Sequence, residues 1–167
     1  TETTHFPMPD QSNREKAYQN LKDSVQRMAE TAEKEGIYIG MEPVAEHTMN
    51  DPEITRRLID EVGSRQIKVI FDPSNLLLPA MVGEQQAIFE RADSLLGDYI
   101  KVVHVKDVVI ANGKKQMCGL GQGVVDFPSM FKWLRENQPD VPLLRENSKR
   151  ESDESDIAYI KKDCEVI

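Results

Sequence analysis

Ile100-Lys101-Val102-Val103-His104-Val105-Lys106-Asp107 is the stretch that decides the fold. Three β-branched apolar residues, with one lysine among them, run into a histidine, and a fourth, Val105, leads on to a Lys-Asp pair. Such a run reads as a strand buried on both faces, as in a parallel sheet. Polar side chains at the C-terminal ends of parallel strands are where α/β folds place their chemistry. Three other apolar runs end the same way: Ile37–Met41 delivers Glu42, Ile67–Phe71 delivers Asp72, and Pro142–Arg145 delivers Glu146.

Working outward, helix signals fill the gaps. Ser12-Asn13-Arg14-Glu15 fits a capping box, and Ala17, Leu21, Val25, Met28 and Ala32 follow as one apolar stripe, closed by Gly36. Asp51-Pro52-Glu53 starts a second helix, with Ile54, Leu58, Ile59 and Val62 on its apolar face and Gly63 at its end. A third is predicted over about Glu84 to Leu96, with Ile88, Ala92, Leu95 and Leu96 inward. Ala111-Asn112-Gly113-Lys114 lies between two short β-prone runs, a strong hairpin signal. Asp126 caps a helix carrying Met130, Phe131, Trp133 and Leu134. A last helix, about Ser155 to Cys164, turns Ile157, Ile160 and Cys164 inward. Strand and helix alternate with one hairpin excursion, which is the pattern of a parallel α/β fold in a single domain over 1–167.

Composition narrows the partners. The net charge of the 167 residues is −8, and phosphate backbones call for basic patches, so nucleic acid is not expected. No apolar stretch approaches the roughly 20 residues that span a bilayer, so no membrane is expected either. Cys118 and Cys164 follow no metal or redox spacing, and a reduced cytoplasmic protein is the default expectation.

The polar strand ends fall at 42, 72, 104 and 146, at intervals of 30, 32 and 42 residues. A (β/α)₈ barrel of about 250 residues spends roughly 31 per unit. The longer third interval holds the hairpin and the loop Gly119-Leu120-Gly121-Gln122-Gly123. Strand ends ring a common centre in a barrel, whereas in an open sheet they lie along a line. Four strands are about half of a closed barrel, so the expected architecture is a half or partial TIM barrel.

Glu42, Asp72, His104 and Glu146 together make a hard, oxygen-rich donor set suited to Mn²⁺ or Mg²⁺, with Co²⁺ and Zn²⁺ as alternatives. Taken singly, Asp72 fits a helix cap and His104 a packed, hydrogen-bonded histidine. His47, in the loop after Glu42, could contact substrate or lie on the surface; His5 reads as a surface histidine. Lys106 shares a strand face with His104. It could meet a substrate oxygen or phosphate, or pack its stem and send its ammonium to solvent. The glycine loop could cradle a phosphate through its amides, but it lacks a P-loop Lys-Ser/Thr. A flexible loop crossing the mouth is the expectation.

These residues resemble the xylose isomerase-like TIM-barrel superfamily, in its sugar phosphate isomerase/epimerase branch. The resemblance is carried by Gly-Met-Glu-Pro around Glu42, Phe-Asp-Pro-Ser-Asn around Asp72, Val-His-Val-Lys-Asp around His104, Gly-Leu-Gly-Gln-Gly-Val-Val-Asp-Phe at 119–127, and Leu-Arg-Glu-Asn around Glu146. In order they look like strands five to eight, the C-terminal half of the barrel, with Thr1-Glu2-Thr3 near the end of strand four. The resemblance implies a divalent-metal site at Glu42, Asp72, His104 and Glu146. It also implies Glu42 and Glu146 as an acid/base pair that moves a proton beside a carbonyl through an enediolate. Two departures bear on the substrate. Asn75 stands where epimerases often have a histidine, and Lys106, Lys114 or Lys115 replaces a substrate-binding arginine. The substrate-binding candidates are thus His47, Asn75 and Lys106, and the expected partner is a sugar or sugar phosphate. The alternatives are an endonuclease IV-like metal-dependent phosphodiesterase, which its several histidines set apart from a chain with three, and a non-catalytic fragment. A half barrel has two open edges, so a homo-oligomer is expected.

Overall fold

The computed structural model describes residues 11–147 and 150–164; for residues 11–13, 163 and 164 it describes the backbone alone. The expected end of strand four at Thr1-Glu2-Thr3, His5, the Ser12 side of the capping box and the Cys164 side chain therefore lie outside the described residues. The elements in order are α1 (Gln11–Glu35), β1 (Ile39–Met41), α2 (Pro52–Val62), β2 (Ile67–Phe71), α3 (Pro73–Leu76), α4 (Gln85–Leu96), β3 (Ile100–Val105), β4 (Asp107–Ala111), β5 (Lys114–Cys118), α5 (Phe127–Asn137), β6 (Leu143–Arg145) and α6 (Asp153–Cys164). Four strands form one sheet in the order β1-β2-β3-β6, and β4-β5 forms a separate pair. The order follows the chain without reversal. No helix among the described residues is long and apolar enough to cross a membrane.

The chain divides into two compact units. One comprises the residues up to Phe71 with Arg91–Lys101; the other comprises Asp72–Glu90 with the residues from Val102 on. In the first unit β1 and β2 pair in parallel, Ile39 opposite Ile67 and Met41 opposite Val69. Ile67, Val69 and Phe71 are buried, as are Leu58 and Ile59 of α2. Helix α2 begins and ends as expected. The Asp51 carboxylate accepts from the Ile54 amide at 2.7 Å, and Gly63 closes the helix at φ 69°. On α1 the buried stripe is Tyr18, Val25, Ala29 and Ala32, whereas Ala17, Leu21 and Met28 are only half-buried. Tyr18 belongs inward because Arg57 lies over its ring, 3.9 Å from the centroid. Arg57 is held there by Glu15 and Glu61. The expected strand Ile37–Met41 is shorter. Ile37 and Tyr38 are exposed, and among the described residues β1 pairs with β2 only from Ile39 onward.

In the second unit β3 and β6 pair in parallel, with His104 opposite Leu144 and Val105 opposite Arg145. The hairpin forms as predicted, β4 against β5, with Asn112 at φ 52° and Gly113 at φ 72°. Positive φ at both positions is what a two-residue turn matching the strand twist requires. The opening strand ends at Val105, and Asp107 already belongs to β4. Helix α5 packs Phe127, Met130, Phe131 and Leu134 into the core, with the Phe127 and Phe131 rings stacked at 5.6 Å. Helix α6 departs from its expected face. Ile157 is exposed and Ile160 half-buried, and the buried side chain of that turn is Asp156.

Candidate metal centre

Asp72, His104, Lys106 and Glu146 all lie in the second unit. Asp72 follows β2 directly, His104 sits on β3, Lys106 follows β3, and Glu146 follows β6. The Asp72 side chain is completely buried. Its Oδ1 caps the one-turn helix α3, accepting from the Ser74 hydroxyl at 2.7 Å and the Asn75 amide at 3.1 Å. Its Oδ2 points the other way. Asp72 is thus both the helix cap that its sequence context allows and a site carboxylate. Asn75 enters through its backbone amide, which fixes the Asp72 carboxylate.

One ligand atom from each of Asp72, His104 and Glu146 lies within 4.8 Å of the others. His104 Nδ1 is 3.9 Å from Asp72 Oδ2 and 3.7 Å from Glu146 Oε2. These distances are too long for direct hydrogen bonds. Two donors that each stand about 2.1 Å from a common ion can be at most about 4.2 Å apart, so the spacing fits a shared divalent cation. With two carboxylate oxygens and one imidazole nitrogen, the donor chemistry fits as well.

Lys106 departs most from expectation. Its ammonium does not reach solvent: the side chain is 5% exposed, and Nζ lies 3.0 Å from Asp72 Oδ2. It also donates to Glu146 Oε2. Burial works against the charge on Lys106, but the Asp72 carboxylate and the Glu146 hydrogen bond outweigh it and hold the ammonium above the ordinary lysine range. Burial likewise pushes the Glu146 carboxyl up, yet the hydrogen bond and charge of Lys106 leave it below the usual carboxylate value. Of the other two lysines, Lys115 donates to the Ser74 carbonyl at 3.2 Å, and Lys114 is exposed at the hairpin turn.

The glycine loop is neither an open phosphate cradle nor a free lid. An internal carboxylate takes its amides. Asp107, fully buried, accepts from Gly121 at 3.0 Å and Gly123 at 2.8 Å through Oδ2. Through Oδ1 it accepts from Val108 at 2.8 Å and Val125 at 3.2 Å. Gly123 comes so close that a Cβ there would collide with the Asp107 carboxylate and the Val108 carbonyl. Gln85 clamps the same segment, donating to Val124 O and accepting from the Asp126 amide.

Asp156 ties the far side. Its Oδ1 accepts from Leu120 N at 2.8 Å, and its Oδ2 accepts from Arg145 Nε at 2.8 Å and Ser152 Oγ at 3.0 Å. Arg145 also donates to Val105 O at 3.3 Å and to the Glu146 carbonyl, so it fixes the backbone that carries Glu146. Burial pushes the Asp156 carboxyl up, but the Leu120 amide, Arg145 and Ser152 hold it below the usual range. Stabilisation by a group lowered in the folded state is complete above its unfolded value of about 4. It is lost as pH falls through the folded value. Asp156→Asn is therefore expected to flatten the fall in stability as pH drops below about 4, and to cost about 1–3 kcal/mol at neutral pH. Urea melts at a series of pH values measure both effects.

Sequence reasoning named neither Asp107 nor Asp156 as an anchor. The signal for Asp107 was a loop rich in amides that needed an acceptor; for Asp156 it was an acid on the face expected to be apolar. The remaining candidates lie in the first unit. His47 lines a cleft of about 150 Å³ with Arg14, Glu15, Tyr18, Asp51 and Arg57. Glu42 follows β1 and is half-buried.

A family model described as xylose isomerase-like TIM barrel matches residues 3–166. The chain belongs to the xylose isomerase-like TIM barrel family. Among solved structures of this fold, the apo form of 3-keto-D-glucoside 4-epimerase from E. coli superposes with TM-score 0.68 at 17% identity, over 94% of this chain and 60% of that one. IOLI protein with a bound zinc atom gives 0.69 at 16% identity, over 96% and 58%. D-allulose 3-epimerase from Methylomonas sp. gives 0.61 at 23% identity, over 96% and 50%. The chain thus spans between half and three-fifths of these relatives, so within the xylose isomerase-like family it is a partial barrel. No curated protein matches the sequence.

Proposed function

We propose that the chain carries the metal-binding half of a divalent-metal-dependent sugar or sugar phosphate isomerase/epimerase. The observation that carries this reading is the convergence of Asp72, His104 and Glu146 at strand ends, with ligand atoms within 4.8 Å. Membership of a family that contains sugar epimerases supports it. Glu42, at the end of β1, completes the ligand set. Mn²⁺ is the preferred ion on the hardness of the donors, with Mg²⁺, Co²⁺ and Zn²⁺ as alternatives.

When bound, such an ion polarises a carbonyl and stabilises the negative charge that develops on its oxygen. The protein's own part is proton transfer. Glu146, held below the usual carboxylate range, is ionised at neutral pH, the form that takes a proton from the carbon beside the carbonyl. Glu42 returns one on the other face. Lys106, Asn75 and His47 are the candidates to hold the sugar's oxygens. The exposed apolar residues Ile37, Tyr38 and Leu144 suit the proposal that the protein self-associates.

Hydrogen exchange is the test. With Mn²⁺ and a panel of ketoses and ketose phosphates in D₂O, at least one substrate is expected to exchange its α-proton, and Glu146→Gln is expected to lower the rate at least 100-fold. Exchange that Glu146→Gln leaves unchanged would contradict the assignment.

A further inference from the structure

Lys106 and a divalent ion need the same two oxygens. The ammonium lies 3.0 Å from Asp72 Oδ2 and donates to Glu146 Oε2. Those are the oxygens that His104 Nδ1 faces at 3.9 and 3.7 Å. An ion placed between the three donors would stand against a positive charge already seated there. At such short range, with Lys106 and Asp72 buried, like charges repel strongly. We propose that Lys106 is a built-in competitor for the metal, an internal cation that bridges Asp72 to Glu146 and must leave them when the ion binds. This rests on the metal reading above and goes beyond it by assigning the site its own regulator.

Two features make the exchange workable. The lysine stem is four carbons long and its head is a point charge with rotatable donors, so it can release the carboxylates without moving the backbone. Asp107, the next residue, is pinned by four backbone amides, so the stem swings from a fixed root. While Lys106 is seated, Asp72 and Glu146 are held together with compensated charge. Without such compensation the buried Asp72 carboxylate and the neighbouring, half-buried Glu146 carboxylate repel each other. Lys106 thus keeps the ligands gathered and also sets a threshold of metal concentration for loading the site.

Calorimetric titration with Mn²⁺ of the wild-type chain and of Lys106→Gln tests this. The variant is expected to bind Mn²⁺ at least tenfold more tightly. Equal or weaker affinity overturns the competition while leaving the metal site standing. No binding by either protein removes the metal reading itself, and the competition with it. If Lys106→Gln does not fold, the wild-type protein labelled with ¹⁵N-lysine answers the same question. The Lys106 ammonium resonance is expected to shift or vanish saturably with Zn²⁺. A resonance unchanged while calorimetry registers Zn²⁺ binding overturns the proposal.

Discussion

Asp107→Ala is expected to destabilise the protein by at least about 3 kcal/mol and to free the segment from Gly119 to Val125. Four backbone amides end on that one carboxylate. A buried donor that loses its acceptor costs about 1–3 kcal/mol. Some of the four amides regain water when the loop opens, so the total falls short of the full sum. Gly123 is packed so closely on Asp107 that a smaller side chain leaves a gap rather than a substitute contact. Urea unfolding measures the loss. Hydrogen exchange locates it, with the Gly121, Gly123 and Val125 amides losing protection first. Wild-type protection at those amides in Asp107→Ala would mean that the loop is held by something else.

Asp72→Ala is expected to remove divalent-metal binding and to cost about 3–5 kcal/mol in the metal-free protein, the usual penalty for breaking a buried ion pair from one side. Asp72 is fully buried, and three groups depend on it: the Ser74 hydroxyl, the Asn75 amide and the Lys106 ammonium. Asp72→Asn separates the two roles. It retains a carbonyl oxygen to cap α3 and recovers part of the stability, but it lacks the charge that binds the ion. Loss of Mn²⁺ affinity in Asp72→Asn together with a smaller drop in stability is the expected pair of results.

Much of the architecture was legible because it rests on local rules. Apolar strand runs, caps such as Asp51 and Asp126, and the Asn112-Gly113 turn each follow from a few neighbouring residues. The regular spacing of 42, 72, 104 and 146 then placed the polar strand ends at one period. The chain's own order in the sheet, β1-β2-β3-β6, is the order that spacing implies. What escaped was non-local. Gly121, Gly123 and Val125 lie 14, 16 and 18 residues from the Asp107 that collects their amides. Leu120 lies 36 residues from Asp156. No periodicity links such pairs, so the glycine-rich segment read as a flexible loop crossing the mouth. Lys106 was placed on the correct strand face, but its destination depends on Glu146, 40 residues away. The α6 face was misjudged because amphipathic patterning favours Ile157, whereas Arg145 and the Leu120 amide draw Asp156 inward.

In the proposed ion site, His104 supplies the one nitrogen among oxygen donors. Electron spin-echo modulation of the Mn²⁺-loaded chain tests it directly. Modulation from a single coordinated imidazole nitrogen is expected in the wild type and none in His104→Ala. Bound Mn²⁺ with no nitrogen modulation, or with modulation that survives in His104→Ala, would contradict it.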